Sequence, residues 1–231
     1  MIIEALVFGL TASSALLLGA VVATRFDLGK RVLAFLLAFA AGALISALSF
    51  ELIQESFDKA GAIPAAIGMV LGATVFIVSD VLLDRRMSRG TTGFSLLAAV
   101  TLDGVPENLA LGTTIAAGGA SLPLLVGIFA SNFPEALVGA RSMFEEGRSG
   151  KFAIAVWLGA GVLLAAAVVA GTLGMSGASE STLSVILAFA GGAVLASLVD
   201  TVMPEAYRDG GPLVAFATVA GFLVSFLIGA G

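Results

Sequence analysis

The chain has 231 residues, of which 59% are hydrophobic and only 12% are charged. A soluble domain carries about twice that share of charged residues, so the composition excludes a water-soluble enzyme and favours an integral membrane protein. The sequence contains no cysteine and no histidine, which excludes disulfide scaffolds, thiol catalysis, zinc fingers and Ser-His-Asp triads. The net charge of −5 and the lack of a basic stripe argue against nucleic-acid binding.

Eight apolar stretches are long enough to cross a bilayer as α-helices. They do not alternate with the period of two that membrane β-strands require, so we predict an all-α fold. The predicted spans form one transmembrane domain over residues 1–231 and lie roughly at 2–24, 32–54, 62–84, 93–117, 121–143, 152–174, 182–206 and 212–230. The first stretch starts without positive charge and carries Glu4, which favours a span over a signal peptide.

The basic residues predict the side of the membrane that each loop faces, because cytoplasmic loops are enriched in Lys and Arg. Only Lys59 lies in an even-numbered loop. All other basic residues lie in the first, third, fifth and seventh loops: Arg25, Lys30, Arg31, Arg85, Arg86, Arg89, Arg141, Arg148, Lys151 and Arg208. We therefore expect the odd-numbered loops to be cytoplasmic and both termini to lie outside.

Two internal repeats relate spans that run in opposite directions. Residues 38–57 align without gaps with residues 188–207, with seven identical positions. In the central spans, the segment Asp103-Gly-Val-Pro-Glu is similar to the segment Ser131-Asn-Phe-Pro-Glu. The chain then consists of three spans, a central pair and three inverted spans, which is typical of transporters that bind substrate near the midplane. The alternative is chance similarity among helices rich in Ala and Gly.

Three carboxylates lie near the middle of the fourth and fifth spans, namely those of Asp103, Glu107 and Glu135. A charged side chain there costs about 2.5–3.5 kcal/mol even on lenient insertion scales, so each acid requires a partner or a function. No Lys or Arg lies deep in any predicted span. Either a cation binds between the acids, or the acids are protonated and bonded to neighbouring backbone.

The spacing of the polar residues favours a bound cation. Residues three or four apart share a helix face, which groups Asp103 with Glu107, and Ser131 and Asn132 with Glu135. A proline directly precedes each glutamate and leaves a backbone carbonyl free one turn earlier. Carboxylates, an amide and spare carbonyls together form an oxygen-rich cage that suits a divalent metal.

At these motifs the sequence resembles the ZIP (Zrt/Irt-like) metal transporters, which carry a Pro-Glu motif in both central spans of an eight-span chain. The motifs LDGVPENLALG and SNFPEALVG resemble a bacterial branch of that family, and the resemblance covers essentially the whole chain. It implies a homodimeric transporter, not an enzyme, with an elevator-type motion in the bacterial inner membrane. Its substrate would be a divalent metal moved toward the cytoplasm, and no cofactor is implied.

The resemblance also implies the metal ligands. Asp103 stands in the place of the family's histidine, and Gly104 stands in the place of its asparagine. The candidate ligands are Asp103, Glu107, Ser131, Asn132, Glu135, Asp200 and Glu205, of which the last two resemble part of the exit route. Residues 152–174 contain no acid, whereas some members carry a ligand in this span, so we expect one main metal site.

The sequence leaves the substrate open. Zinc is the first expectation from the family, whereas an all-oxygen site also admits manganese, iron(II), cobalt or cadmium. The alternative function is a proton-coupled carrier of an organic cation, in which the same acids are proton relays. A metal-dependent intramembrane enzyme is disfavoured, because no basic residue lies near the midplane.

Two further features of the sequence are predicted to lie at the membrane surface. Glu51 and Glu55 at the outer end of the second span either attract cations or are simply exposed helix-end acids. Trp157, near the inner end of the sixth span, is expected to anchor that helix at the membrane interface.

Overall fold

The computed structural model describes residues 1–86 and 93–230. The α-helices are α1 (Ile2–Ala23), α2 (Lys30–Ala47), α3 (Glu55–Ala60), α4 (Ala62–Arg86), α5 (Gly93–Ala116), α6 (Leu122–Glu145), α7 (Gly150–Met175), α8 (Glu180–Ser197), α9 (Met203–Gly210) and α10 (Val214–Ala230). Two π-helical segments, π1 (Leu48–Gln54) and π2 (Leu198–Val202), join α2 to α3 and α8 to α9. The described residues contain no strand, so the predicted all-α fold is confirmed for that part of the chain.

Six helical segments of the described residues are long and apolar enough to cross a membrane: Ile2–Ala23, Lys30–Ala60, Ala62–Leu82, Leu122–Glu145, Gly150–Met175 and Glu180–Ala230. This pattern is compatible with a multi-pass membrane protein. The last segment turns at Gly211, whose φ of 68° lies in the left-handed region that favours glycine. Helix α5 is not among the six, so the number of eight spans stays a prediction.

The two π-helical segments begin at corresponding positions of the sequence repeat, because Leu48 aligns with Leu198. A π-helical turn rotates the face of the helix that follows it, and such turns are frequent at functional sites. Through π1 and α3 the second predicted span continues to Ala60 instead of ending near residue 54.

Helices α2 and α10, and likewise α4 and α8, touch backbone to backbone at glycines. A Cβ atom on Gly221 would overlap the carbonyl oxygen of Phe39, and one on Gly72 would overlap that of Phe189. Phe39 and Phe189 occupy the same position of the sequence repeat. The two helix pairs therefore meet in the same way, at a distance that only small residues permit.

We expect Gly221→Ala to destabilise the protein by about 1–3 kcal/mol, because the added methyl group forces α2 and α10 apart. The measurement is the melting temperature of the purified protein in detergent. Gly159→Ala on α7 is the control, because no described atom outside its own helix backbone lies within 4 Å of the position that its Cβ atom would take. That control is expected to keep or raise the melting temperature, since alanine is the better helix former. Equal melting temperatures would contradict the close packing.

Described residues in or beside the odd-numbered loops meet at one end of the molecule. Arg141 at the end of α6 forms an ion pair with Asp27 in the first loop. The backbone N–H of Gly93, directly after the third loop, donates to the carboxylate of Glu146 in the fifth loop. Gly210, in the predicted seventh loop, packs on α2 near its start. Arg89 of the third loop lies outside the described residues, as do the side chains of its other two arginines.

The even-numbered loops lie at the opposite end. Lys59 at the end of α3 bridges Glu55 at 3.0 Å and Glu180 at the start of α8 at 3.2 Å. Nearby, the hydroxyl groups of Ser56 and Ser184 each donate to the other residue's backbone carbonyl. The described basic residues of the odd-numbered loops are therefore separated from Lys59 by the length of the helices.

Trp157 on α7 is wholly buried, so the expectation of an interface anchor is wrong. Its ring packs on the backbone of α6 at Gly139, where a Cβ atom would overlap it. A bulky side chain against a glycine fills the space between two helices without a void.

Candidate functional site

The central candidates lie on α5 and α6, which pack against each other. Both helices continue through their internal prolines, Pro106 and Pro134. Because proline has no N–H group, the carbonyl groups of Leu102 and Ala130 lack their usual helical partner. Each helix therefore presents a spare backbone acceptor about one turn before its glutamate.

On α5, the carboxylates of Asp103 and Glu107 are removed from bulk solvent. Glu107 is 5% exposed, and Asp103 is partly buried. Ser197 of α8 donates a hydrogen bond of 2.5 Å to Oδ2 of Asp103, whereas Oδ1 is buried and has no hydrogen-bond partner among the described residues. No described Lys or Arg forms an ion pair with either acid.

On α6, Ser131 and Asn132 are each 1% exposed, and Glu135 is partly buried without a basic partner among the described residues. The amide nitrogen of Asn132 donates to the carbonyl oxygen of Ala12 on α1 at 3.4 Å. The hydroxyl of Ser131 donates to the carbonyl oxygen of Ile128 at 3.1 Å. With these donors occupied, the side-chain oxygens of Ser131 and Asn132 keep free lone pairs for a cation.

The structure brings the carboxylates of three helices into one region. Asp103, Glu107 and Glu205 of α9 all lie within electrostatic range of Glu135. Among the described residues, however, no three Asp or Glu side chains are close enough to enclose a metal ion. An ion held here therefore needs amide, hydroxyl, carbonyl or water oxygens in addition to carboxylates.

A cavity of about 30 Å³ opens beside these acids, which is room for one or two water molecules. Its polar lining consists of Asp103, Glu135, Thr201 and Glu205, and we call it the Glu135 cavity. Asp200, the remaining candidate, is exposed and does not line it. The structure therefore places Glu205 in the lining of this cavity, whereas Asp200 lies within electrostatic range of Asp103 without lining it.

Two larger cavities lie at the other end of the molecule, with volumes of about 140 and 230 Å³. They share Phe50 and Glu51, and we call them the Glu51 cavities. Glu55 lines the larger one. The smaller one is lined by Ser46 and Ser225, whose buried hydroxyl groups have no hydrogen-bond partner within residues 1–86 and 93–230 as described.

Sequence reasoning missed two polar residues of the site, Ser197 and Thr201. A signal existed for Thr201, because it lies four residues before Glu205 and so shares its helix face. No signal existed for Ser197, whose contact with Asp103 depends on how α5 and α8 pack.

No family model matches the sequence, and no curated protein is similar to it at a significant level. The function is therefore inferred from the chemistry of the site.

Proposed function

We propose that the protein is a ZIP-type transporter that moves divalent metal ions, zinc first among them, across the bacterial cytoplasmic membrane toward the cytoplasm. The observation that carries this proposal is that the carboxylates of Asp103, Glu107 and Glu135 lie within electrostatic range of one another between helices and have no basic partner among the described residues. A bound cation supplies the missing positive charge. The metal is the transported substrate, so we expect neither a cofactor nor enzymatic activity.

The size of the Glu135 cavity favours a metal ion over an organic cation. Its volume of about 30 Å³ is far below the roughly 300–1,000 Å³ of pockets that hold small organic ligands. The oxygen donors around it are hard ligands, which suit divalent metals of the first transition series as well as zinc.

We further propose eight spans in a 3+2+3 inverted repeat with both termini outside. In this arrangement α1, α2–α3 and α4 correspond to α7, α8–α9 and α10, and α5 and α6 form the central pair. Support comes from the aligned starts of π1 and π2 and from the matching glycine contacts of α2 with α10 and of α8 with α4. The described basic residues of the odd-numbered loops lie at one end, which supports the assignment of that end to the cytoplasm.

Metal would move by displacement of one helix group against the other within each subunit of a homodimer. The moving group consists of α1, α5, α6 and α7, and the scaffold consists of α2, α4, α8 and α10. The most extensive helix contacts lie inside these groups, which supports the division. Cavities at the two ends support alternating access, because Glu51 and Glu55 of one end correspond in the repeat to Thr201 and Glu205 of the other.

The test is uptake of zinc, cadmium, manganese, iron(II), cobalt and magnesium by proteoliposomes that contain the purified protein. We expect saturable uptake of at least one of the transition metals. Absence of both uptake and binding for every metal would contradict the proposal. Proton-linked uptake of an organic cation that metals do not inhibit would instead support the carrier alternative.

Glu51→Gln is expected to lower kcat/KM for metal uptake several-fold while kcat stays near the wild-type value. The reason is that the Glu51 carboxylate raises the local cation concentration at the Glu51 cavities, an effect that weakens with ionic strength. The measurement is initial uptake at low and high salt. Glu4→Gln, which removes an exposed acid near the N-terminus, is the control. Equal effects of the two variants would contradict a special role of Glu51.

A further inference from the structure

Ser197 hydrogen-bonds only one of the two carboxylate oxygens of Asp103. The serine is the last residue of α8, directly before π2, and is 3% exposed. Its hydroxyl donates a 2.5 Å hydrogen bond to Oδ2, across the interface between α8 and α5. Oδ1 is buried and has no hydrogen-bond partner in the part of the chain that the structure describes. One oxygen of this candidate ligand is therefore already engaged, and the other is free.

We propose that Ser197 sets the ion selectivity of the transporter by holding Asp103 as a ligand with one available oxygen. This inference rests on the proposed function and deepens it. Ser197 is a positioning residue, because it acts through Asp103 and not by touching the ion. Its hydrogen bond occupies one lone pair of Oδ2 and draws charge from that oxygen, which disfavours coordination of an ion through both oxygens.

The number of available oxygens matters because ions differ in size and coordination number. Zinc is satisfied by about four ligands at short distances, which suits a carboxylate that binds through one oxygen. Larger ions with more ligands, such as manganese, accept a carboxylate that binds through both oxygens. Without the hydrogen bond from Ser197, Asp103 offers both oxygens, and the preference moves toward manganese.

The test compares Mn²⁺ and Zn²⁺ in wild-type protein and in Ser197→Ala. We expect the ratio of kcat/KM for Mn²⁺ to kcat/KM for Zn²⁺ to rise on the order of three- to tenfold in proteoliposomes. The same change is expected in the two Kd values of the purified protein. Ser197→Thr keeps the hydroxyl and should keep the wild-type ratio. An unchanged ratio in Ser197→Ala overturns the proposal. An equal fall in kcat/KM for both ions overturns it too, because a packing defect alone would produce that result.

Two control variants test whether Ser197 changes the ion selectivity by acting on Asp103. Asp103→Asn leaves one side-chain oxygen at this position. Adding Ser197→Ala to Asp103→Asn should therefore leave the Mn²⁺-to-Zn²⁺ ratio of kcat/KM unchanged, and a shift in that ratio overturns the proposal. Ser184→Ala removes another buried, hydrogen-bonded serine of α8 and should also leave it unchanged. Wild-type protein that neither binds nor transports either ion contradicts the proposed function too. If the wild-type protein transports metal and Ser197→Ala has the same ratio of kcat/KM for Mn²⁺ to kcat/KM for Zn²⁺ as the wild type, only this inference fails.

Discussion

Glu107→Gln and Glu135→Gln are each expected to reduce saturable metal uptake to the background of empty vesicles. Glutamine keeps the size and the polar oxygen of glutamate but removes the charge that a divalent cation needs. Glu107 is 5% exposed, and neither acid has a basic partner among the described residues. Because an unpaired charge is costly to bury, the neutral amides should leave the melting temperature of the ion-free protein unchanged or raise it.

The measurement is uptake and melting temperature on the same preparations. Glu145→Gln is the control, because Glu145 is an exposed acid that pairs with Arg141 at the end of α6. Wild-type uptake in either site variant would contradict the assignment of that carboxylate. Loss of uptake together with a large fall in melting temperature would indicate a folding defect and not a loss of the metal site.

Metal binding should also be visible as stabilisation. A ligand at about 100 times its Kd stabilises the folded protein by about 2.7 kcal/mol, so saturating zinc is expected to raise the melting temperature of the wild-type protein. The same concentration should have little effect on the Glu107→Gln/Glu135→Gln double variant. An equal increase in both proteins would place the metal elsewhere.

The helices were predictable because apolar length and polar breaks are local properties of the sequence. The predicted starts and ends agree with α1 and α7 to within a few residues. The second span is longer than predicted, because π1 and α3 extend it to Ala60. Nothing in the composition of Leu48–Gln54 distinguishes a π-helical turn from an α-helical one, since such turns depend on the contacts of the folded helix.

The acids of the candidate site were predictable because charges are rare inside membranes and therefore conspicuous. Asp200 was predicted as a ligand because it is charged. The residue four positions before Glu205 is Thr201, however, and it is Thr201 that lines the Glu135 cavity. Ser197 was not predictable, because serine is common at helix contacts and its partner, Asp103, lies 94 residues away.

Asp103→His is expected to raise the preference for zinc over manganese by at least about tenfold, because an imidazole nitrogen is a better ligand for zinc than for harder ions. Ser197 is placed to hydrogen-bond one ring nitrogen, which would orient the other nitrogen toward the ion. The measurement is uptake from an equimolar mixture of Zn²⁺ and Mn²⁺. Since the wild-type chain has no histidine, Asp58→His at an exposed position of α3 controls for zinc bound by any new imidazole. An unchanged metal profile in Asp103→His would show that this position does not set selectivity, and the role given to Ser197 would fail with it.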